Sequence, residues 1–570
     1  MFFHHILKAV IGLITYVYLG VVIAAADPST ISMVDVTDDV GIGSEHYGSP
    51  TRHSLGVVWV DVNDDGYPDI FATNGYDDGD GRNLRPHLYM NDGNGGFSLA
   101  DNLLPDLENY EYVGAVAADY DRDGDMDVFI YTAHEEWVTR DVEGNPFNGP
   151  PNVLLKNLFV ENGRVIQNSM FVDVAAQVGL DGCTSRFENL LNQTESAPKY
   201  PCRQTRSAAF LDYNLDGWID IYLAQMVINN VSSSDPNLDF VGKSANRDVL
   251  FLNQGNGRFV ARPNVITAGE ATERSALAAR SSHLNQDIWP DMYIGNVGAY
   301  EVALEGDTKD TILINDGNGN LNVDHEYIGQ DTPAAMGISF GDINNDLFFD
   351  IYITDVPGHG FNEGDPNRFG NTLYVSHERG FSQNVAPLFD VEFTLSWGTN
   401  FADFNNDTDL DLFVGSGTRG QESMIFSNLN SLGDTSSYVL NTSNVRGSAL
   451  ADYDRDGDVD LLVVNIDGSL QLFENRSDMS INKSLVLNFE AKDSNLDAIG
   501  LRAVVFLSNG KTLMQQISGG SSFHSQDETQ LVFGVGEHDV DKINIYWPHI
   551  NTPVQKIFNV TSNNLTITEP

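Results

Sequence analysis

Residues 117–130 read AADYDRDGDMDVFI, and the prediction of the fold starts from this segment. Its centre, residues 119–127, follows the nine-residue pattern D-x-[DN]-x-D-G-x-x-D with an apolar segment on each side. Five further copies, two of which replace the Gly, begin their apolar flanks at Trp59, Phe210, Phe340, Phe401 and Leu450. A decayed copy, SHLNQDIWPDMYI, begins at Ser282. The chain is therefore an array of seven units with a period of roughly 60 residues.

Within each unit, the segments around the loop are typical of short strands. In the first unit LGVVWV (55–60) precedes the loop, and DIFATN (69–74) and HLYMNDGNGGF (87–97) follow it. Short apolar runs bounded by Gly, Asn and Asp indicate strands, and the Asn-Gly-rich turn indicates a hairpin. About four strands per unit, without helical patterns between them, favour a β-propeller blade. The sequence therefore predicts an all-β fold, a seven-bladed β-propeller.

The N-terminal part of the array predicts how the ring closes. SMVDVTDDVGI (32–42) resembles MFVDVAAQVGL (170–180), which ends a unit, and no such strand follows the last loop. We expect the N-terminal strand to complete the last blade, which removes exposed sheet edges. The propeller then spans residues 30–480, and residues 483–570 form a small β-sandwich-like C-terminal domain.

The loops have the chemistry of calcium sites. Side chains at positions 1, 3, 5 and 9, with the carbonyl of position 7, converge only if the chain curls sharply, and Gly at position 6 allows that curl. Six or seven oxygen ligands favour Ca²⁺ over Mg²⁺. We predict about six calcium sites. Their ligands are Asp61, Asn63, Asp65 and Asp69; Asp119, Asp121, Asp123 and Asp127; Asp212, Asn214, Asp216 and Asp220; Asp342, Asn344, Asp346 and Asp350; Asp403, Asn405, Asp407 and Asp411; and Asp452, Asp454, Asp456 and Asp460.

The fourth loop departs from this pattern. Its four positions hold His283, Asn285, Asp287 and Asp291, and Ile288 stands in the place of Gly. We expect a structural turn without metal there.

Two further loops depart at one position. Leu347 and Thr408 replace Gly in the fifth and sixth loops, which predicts weaker binding. An EF-hand is excluded because position 12 is not Glu, being Ala72 in the first loop and Ile130 in the second, and because the flanks are strands.

The net charge limits which classes of partner are plausible, and the N-terminal residues indicate the compartment. Against 81 Asp and Glu stand 31 Lys and Arg, a net charge of −50, which excludes nucleic-acid binding and makes cations the natural partners. Residues 1–26 read as a cleaved signal peptide, with an uncleaved N-terminal anchor as the alternative. No later segment is long enough to span a membrane. We expect an exported protein, extracellular or on the cell surface (in a bacterium, periplasmic or on the outer surface), with a Cys183–Cys202 disulfide.

These motifs resemble two known modules. The loops resemble the calcium-binding FG-GAP or VCBS-type repeats of integrin α-subunit propellers, and residues 500–548 resemble the ASPIC/UnbV module. A propeller followed by that module is similar to the cartilage acidic protein-like family. The resemblance implies an extracellular calcium-binding protein without an established catalytic activity.

Two functions remain open from the sequence. The first is a non-enzymatic adhesion or ligand-binding module whose partner is an unknown extracellular protein or glycan. The alternative is a polysaccharide hydrolase or lyase with its site in the propeller funnel. The polar candidates for such a site show no repeating pattern; they are His46, His53, His87, His134 and Arg206.

Overall fold

The computed structural model describes most of the chain after its first 29 residues. The described residues are 30–43, 56–74, 85–107, 112–132, 151–182, 205–225, 248–262, 265–266, 276–296, 310–324, 335–355, 371–377, 380–384, 395–418, 420–427, 429–431, 435–549, 555–558 and 560–570. The predicted signal peptide and the predicted Cys183–Cys202 disulfide lie outside these residues. Among the helices within them, none is long and apolar enough to cross a membrane.

Nearly all regular structure is β. The strands up to residue 475 are β1 (Met33–Asp35), β2 (Val57–Val60), β3 (Asp69–Ala72), β4 (His87–Asn91), β5 (Phe97–Leu99), β6 (Tyr112–Ala118), β7 (Asp127–Thr132), β8 (Val153–Asn157), β9 (Phe171–Asp173), β10 (Thr205–Leu211), β11 (Asp220–Gln225), β12 (Val249–Asn253), β13 (Phe259–Arg262), β14 (Ala276–Ser282), β15 (Asp291–Asn296), β16 (Thr311–Asn315), β17 (Leu321–Asp324), β18 (Ala335–Gly341), β19 (Asp350–Asp355), β20 (Thr372–His377), β21 (Gly380–Asn384), β22 (Ser396–Ala402), β23 (Asp411–Ser416), β24 (Ser423–Ser427), β25 (Ser436–Leu440), β26 (Val445–Ala451), β27 (Asp460–Asn465) and β28 (Leu470–Asn475). Later strands are β29 (Lys483–Glu490), β30 (Arg502–Leu507), β31 (Thr512–Gln516), β32 (Leu531–Gly536), β33 (Val540–Tyr546), β34 (Gln555–Phe558) and β35 (Asn564–Thr568). A short helix, α1, spans Ala175–Val178, and 3₁₀ turns span Asp101–Leu103 and Leu429–Ser431.

The strands up to β28 form seven four-stranded sheets within the described residues. Six sheets follow chain order, from β2-β3-β4-β5 to β22-β23-β24-β25. The seventh combines β26, β27 and β28 with β1, which pairs antiparallel with β28 and places Met33 opposite Asn475. The predictions of an all-β chain built from four-stranded units, and of an N-terminal strand completing the last unit, are therefore confirmed.

Contacts between the sheets run in a cycle. The first strand of each sheet contacts the first strand of the next, from β2 and β6 through β22 and β26. Strand β26 in turn contacts β2. The seven first strands therefore surround a common axis.

Packing between sheets explains the apolar second strands. All six residues of β7 are buried. Phe129 joins the hydrophobic cluster of the following sheet, which includes Phe210, whereas Val128 joins that of the preceding sheet, which includes Phe71. A strand buried on both faces reads as continuously apolar, as this one does. The fourth strand β9, in contrast, is exposed at two of its three residues.

The last seven strands form two further sheets. One has the order β32-β29-β35, with β29 and β35 parallel, and the other has the order β31-β30-β33-β34. Leu487, Val505 and Trp547 lie in one buried cluster that draws on both sheets and extends to β10 and β11 of the third four-stranded sheet. The two sheets are therefore packed onto the rest of the chain.

The connection between β31 and β32 enters the ring of first strands. We call residues 519–528 the axial segment. The Gln526 amide donates to the carbonyl of Val57 at 3.0 Å, and the Phe210 amide donates to the carbonyl of Gly519 at 2.8 Å. The Gln526 side chain also bonds both backbone groups of Ala117, each at 2.9 Å. The segment thus reaches β2, β6 and β10 together.

The remaining four first strands are contacted from the same segment. Ser522 forms a bridge with Ile338 of β18 and accepts a hydrogen bond from the Thr399 amide of β22 at 2.9 Å. Arg280 of β14 donates to the Ser521 carbonyl at 2.6 Å, and the Leu450 amide of β26 donates to Asp527. The axial segment therefore contacts all seven first strands, an arrangement that the sequence pattern did not indicate.

Candidate metal-binding loops

All seven predicted loops lie at the same end of the sheets. In each sheet the first strand ends at the residue before position 1, and the second strand begins at position 9. The loop thus turns the chain between two antiparallel strands, and the repeat places seven such turns side by side around the axis.

The backbone of the loops follows one pattern. Position 4 has a positive φ in all seven loops, at Asp64, Arg122, Leu215, Gln286, Asn345, Asn406 and Arg455. Position 6 also has a positive φ in six loops, at Gly66, Gly124, Gly217, Leu347, Thr408 and Gly457. Ile288 of the fourth loop is the exception. The fifth and sixth loops thus keep the curl without Gly, at the steric cost that a side chain meets in this region.

Backbone amides hold the first and last carboxylates of the loops. The amide of position 6 donates to the carboxylate of position 1 at 2.8–3.1 Å in the same six loops. The amide of position 2 donates to the position-9 Asp at 2.9–3.2 Å in all seven. These bonds fix positions 1 and 9 across the loop from each other.

A recurrent Asn links neighbouring sheets. The sequence pattern had indicated it only as a turn residue. It ends the third strand in five sheets, at Asn91, Asn157, Asn253, Asn315 and Asn475. Its backbone amide donates to the position-9 Asp of its own sheet at 2.7–2.9 Å. Its side-chain amide donates to the position-2 carbonyl of the preceding loop at 2.7–3.0 Å. The recurrence of Asn at the end of the third strand was the sequence signal that could have indicated this link between sheets.

The loops fit a cation because oxygen atoms converge without hydrogen-bond partners. Carboxylate oxygens of Asp119, Asp121 and Asp127 lie within 4.8 Å of one another, as do those of Asp452, Asp454 and Asp460. At the predicted ligand positions, four buried oxygens have no hydrogen-bond partner, namely Oδ1 of Asn63, Asp121, Asp411 and Asp452. A buried unpaired acceptor is costly, so these atoms are suited to metal ligation. Several acidic clusters of the chain could therefore bind a metal ion.

The carboxylates of these loops are poorly solvated. Burial raises the pKa of Asp212, Asp342 and Asp452 to about 7. Burial and then the neighbouring charge of Asp497 raise the pKa of Asp119 to about 8. Burial also raises the pKa of the position-9 carboxylates. Without a cation, the carboxylates of the folded loops are therefore protonated more readily than those of free Asp.

In the second loop an ammonium group lies among the predicted ligands. Lys156 of β8 bonds Asp121 and lies 2.8 Å from a carboxylate oxygen of Asp123 and from one of Glu161. Lys156 neutralises part of this cluster, so a cation in the second loop would compete with it. The sequence patterns around the loop did not reveal this neighbour.

The fourth loop is instead a contact with the C-terminal sheets. His283 Nε2 lies 2.9 Å from the carbonyl of Gly500, and Arg502 donates to the carbonyl of Asp287 at 3.2 Å. Burial, and then the charge of Arg502, lower the pKa of His283 to about 3, so the imidazole is neutral. His283, where other loops have Asp, thus serves as a hydrogen-bonding contact to the C-terminal domain.

The residues that replace Gly in the fifth and sixth loops also face the C-terminal sheets. Leu347 packs against the cluster of Phe349, Val504 and Met514. Thr408 accepts a hydrogen bond from Lys511 Nζ at 2.7 Å. Each side chain therefore has a packing or hydrogen-bonding partner that Gly would lack.

The polar residues proposed for a funnel enzyme do not converge among the described residues. His46, His53 and His134 lie outside the described part of the chain. His87 is on a third strand and pairs with Asp101 at 2.7 Å, whereas Arg206 is buried on the first strand β10 of another sheet.

Comparisons with known families identify two types of module. The FG-GAP-like repeat matches residues 45–130 and 403–463, and the family described as ASPIC and UnbV matches residues 491–570. No curated protein matches the chain. The chain therefore combines FG-GAP-like repeats with a C-terminal ASPIC/UnbV domain.

Proposed function

We propose that the chain is an exported calcium-binding propeller that acts as a non-enzymatic ligand-binding or adhesion module. Its combination of FG-GAP-like repeats and an ASPIC/UnbV domain supports a place in the cartilage acidic protein-like family. Export rests on the signal-peptide pattern of residues 1–26. We take the seven four-stranded sheets as the seven blades, and the closed cycle of contacts between their first strands supports this assignment.

The observation that carries calcium binding is the shared geometry of six loops. They keep one backbone curl and the same amide bonds to position 1, although two of them have no Gly at position 6. In four loops an oxygen at a predicted ligand position is buried without a hydrogen-bond partner. Side-chain oxygens of positions 1, 3, 5 and 9 would hold the ion, whose charge would offset the repulsion among the carboxylates.

A binding role is favoured over catalysis because a segment of the chain itself lies among the seven first strands. The axial segment contacts the first strand of every four-stranded sheet, and the C-terminal sheets lie against the loops. A funnel could open on the loop side only if the axial segment moved out of the ring of first strands. We propose that the ligand binds on the side of the ring opposite the loops.

Native mass spectrometry of the whole chain tests calcium binding directly. We expect about six bound ions at millimolar calcium, in line with six curled loops. Asp456→Asn in the seventh loop should remove or weaken one ion, whereas Asp287→Asn in the fourth loop should leave the number unchanged. Full-length protein without bound ions at millimolar calcium would refute the proposal.

The non-enzymatic assignment needs a separate experiment. The purified chain is screened against neutral and acidic polysaccharides for new reducing ends or unsaturated products, and in parallel as bait in an extracellular-matrix extract. We expect a calcium-dependent protein or glycan partner and no turnover. Reproducible cleavage that survives repurification would favour the enzyme instead.

A further inference from the structure

The C-terminal sheets bring carboxylates of their own to two of the loops. Asp497 accepts a hydrogen bond from the Asp119 amide at 2.8 Å in the second loop. Glu528, whose side chain is 10 % exposed, accepts one from the Asp452 amide at 3.2 Å in the seventh. Each carboxylate thus lies beside position 1 of a loop that is already strongly acidic.

These two loops have carboxylates at all four predicted ligand positions. The second and seventh loops have Asp at positions 1, 3, 5 and 9, whereas all the others have Asn at position 3. They also contain the two groups of position-1, position-3 and position-9 carboxylates that lie close enough to share an ion. Like charges in a partly buried contact repel each other. Arg455, 2.5 Å from Glu528, offsets part of this charge in the seventh loop, and Arg122, which donates to the Lys492 carbonyl at 2.6 Å, offsets part of it in the second.

The other loop contacts of the C-terminal sheets are attractive. Lys511 bonds Asp409 in the sixth loop, and the Gly536 amide donates to the Asn406 carbonyl there at 2.9 Å. His283 and Leu347 supply neutral contacts in the fourth and fifth loops. Carboxylates of the C-terminal domain therefore meet carboxylates of the second and seventh loops, which have Asp at all four predicted ligand positions.

We propose that divalent cations in the second and seventh loops lock the C-terminal domain onto the propeller and hold the axial segment in the ring. An ion there would be attracted to Asp497 and Glu528 as well as to the loop carboxylates, so the repulsive contacts become favourable. Without ions, these contacts weaken and the axial segment opens more often. The inference rests on the proposed calcium binding and adds a role for it, namely control of domain docking.

Hydrogen–deuterium exchange of the full chain, with calcium or with EDTA, tests the coupling. The probe peptide covers residues 519–528, where the amides of Gln526 and Glu528 donate to the carbonyls of Val57 and Leu450. We expect exchange at least about tenfold faster in EDTA, because local opening then becomes more frequent. One peptide from β29 and one from β32, two strands that pair with each other, serve as internal references. Both should exchange equally with calcium and with EDTA.

Charge removal separates docking from ion binding. In the double variant Asp497→Asn, Glu528→Gln, EDTA should change exchange of the axial segment by less than about threefold. Native mass spectrometry should still count the same number of bound calcium ions. Asp541→Asn, an exposed carboxylate of the same domain away from the loops, is the matched control and should behave as the parent.

Three outcomes would overturn the inference. In the first, calcium is counted on the parent chain but the axial segment exchanges equally in calcium and EDTA, a result that leaves the proposed function standing. In the second, the double variant keeps the full effect of EDTA on exchange of the axial segment. In the third, β29 and β32 lose protection together with the axial segment, which would indicate unfolding and not undocking. A parent chain that binds no calcium would refute the proposed function itself.

Discussion

The choice between Asp and Asn at position 3 sets how much charge each loop gathers. In the first, third, fifth and sixth loops an Asn amide reduces the charge, whereas the second loop has four carboxylates and Lys156 among them. A side chain and a calcium ion thus serve as alternative partners of Asp121 and Asp123. This competition is a property of one lysine and can be removed by one substitution.

Lys156→Met is predicted to tighten calcium binding at the second loop by about tenfold, or ~1.4 kcal/mol, because the ion no longer displaces an ammonium group. Without calcium, the same variant should melt at a lower temperature, since Asp121 and Asp123 lose their neutralising partner. Calorimetric titration and thermal melting measure the two effects. Lys483→Met, an exposed residue at the start of β29, is the control. Equal affinity in both variants would show that Lys156 does not occupy the site in solution.

The raised pKa values of the loop carboxylates predict opposite pH dependences with and without calcium. Between the ordinary Asp pKa and the folded values of about 7 for Asp212 and about 8 for Asp119, the folded metal-free chain binds more protons than the unfolded chain. Stability in EDTA should therefore fall as pH rises from about 5 to 8.5. Calcium needs the deprotonated ligands, so the calcium-induced rise in Tm should grow over the same range. Melting curves at both pH values check this, and an EDTA melt that rises with pH would contradict it.

The loops and strands show what sequence alone could predict. A fixed nine-residue spacing with apolar flanks indicates the strands on either side of position 1 and position 9, and these boundaries are confirmed. Gly at position 6 indicated a curl, but the second left-handed residue at position 4 had no signature, because residues as different as Arg122 and Leu215 occupy it. The axial segment could not be predicted either, since partners such as Val57 and Ser525 are 468 residues apart in the sequence and no periodicity marks them.

Asn253 shows how one side chain joins two neighbouring sheets. Its amide group donates to the Tyr120 carbonyl at 2.7 Å and to the Ile219 carbonyl at 3.2 Å. Asn253→Ala leaves a buried carbonyl unpaired, so we predict a loss of about 1–3 kcal/mol of unfolding free energy. Asn318→Ala, in the equivalent turn of the next sheet, removes only a local bond to Asp316 and is the matched control. Denaturant unfolding compares the two, and equal losses would show that the link between sheets contributes nothing.

Considered as a whole, the chain combines a net charge of −50 with a closed ring of acidic loops. Two effects could therefore make it depend on cations. One is general screening of self-repulsion, for which any salt suffices because the Debye length falls to about 3 Å at 1 M. The other is ligation in the loops, which requires an ion of the right charge and size at converging oxygens.

Thermal melting in EDTA with increasing sodium chloride separates these two effects. If ligation dominates, about 0.5 M sodium chloride recovers only a minor part of the stability that 1 mM calcium gives. Screening does not place a bound ion at the unpaired oxygens of Asp411 and Asp452. Magnesium at 1 mM should fall between sodium chloride and calcium, since it demands a stricter octahedral geometry than these loops require. Full recovery in sodium chloride would mean that the ring is held against its own charge by screening alone, and that the loops act as acidic turns.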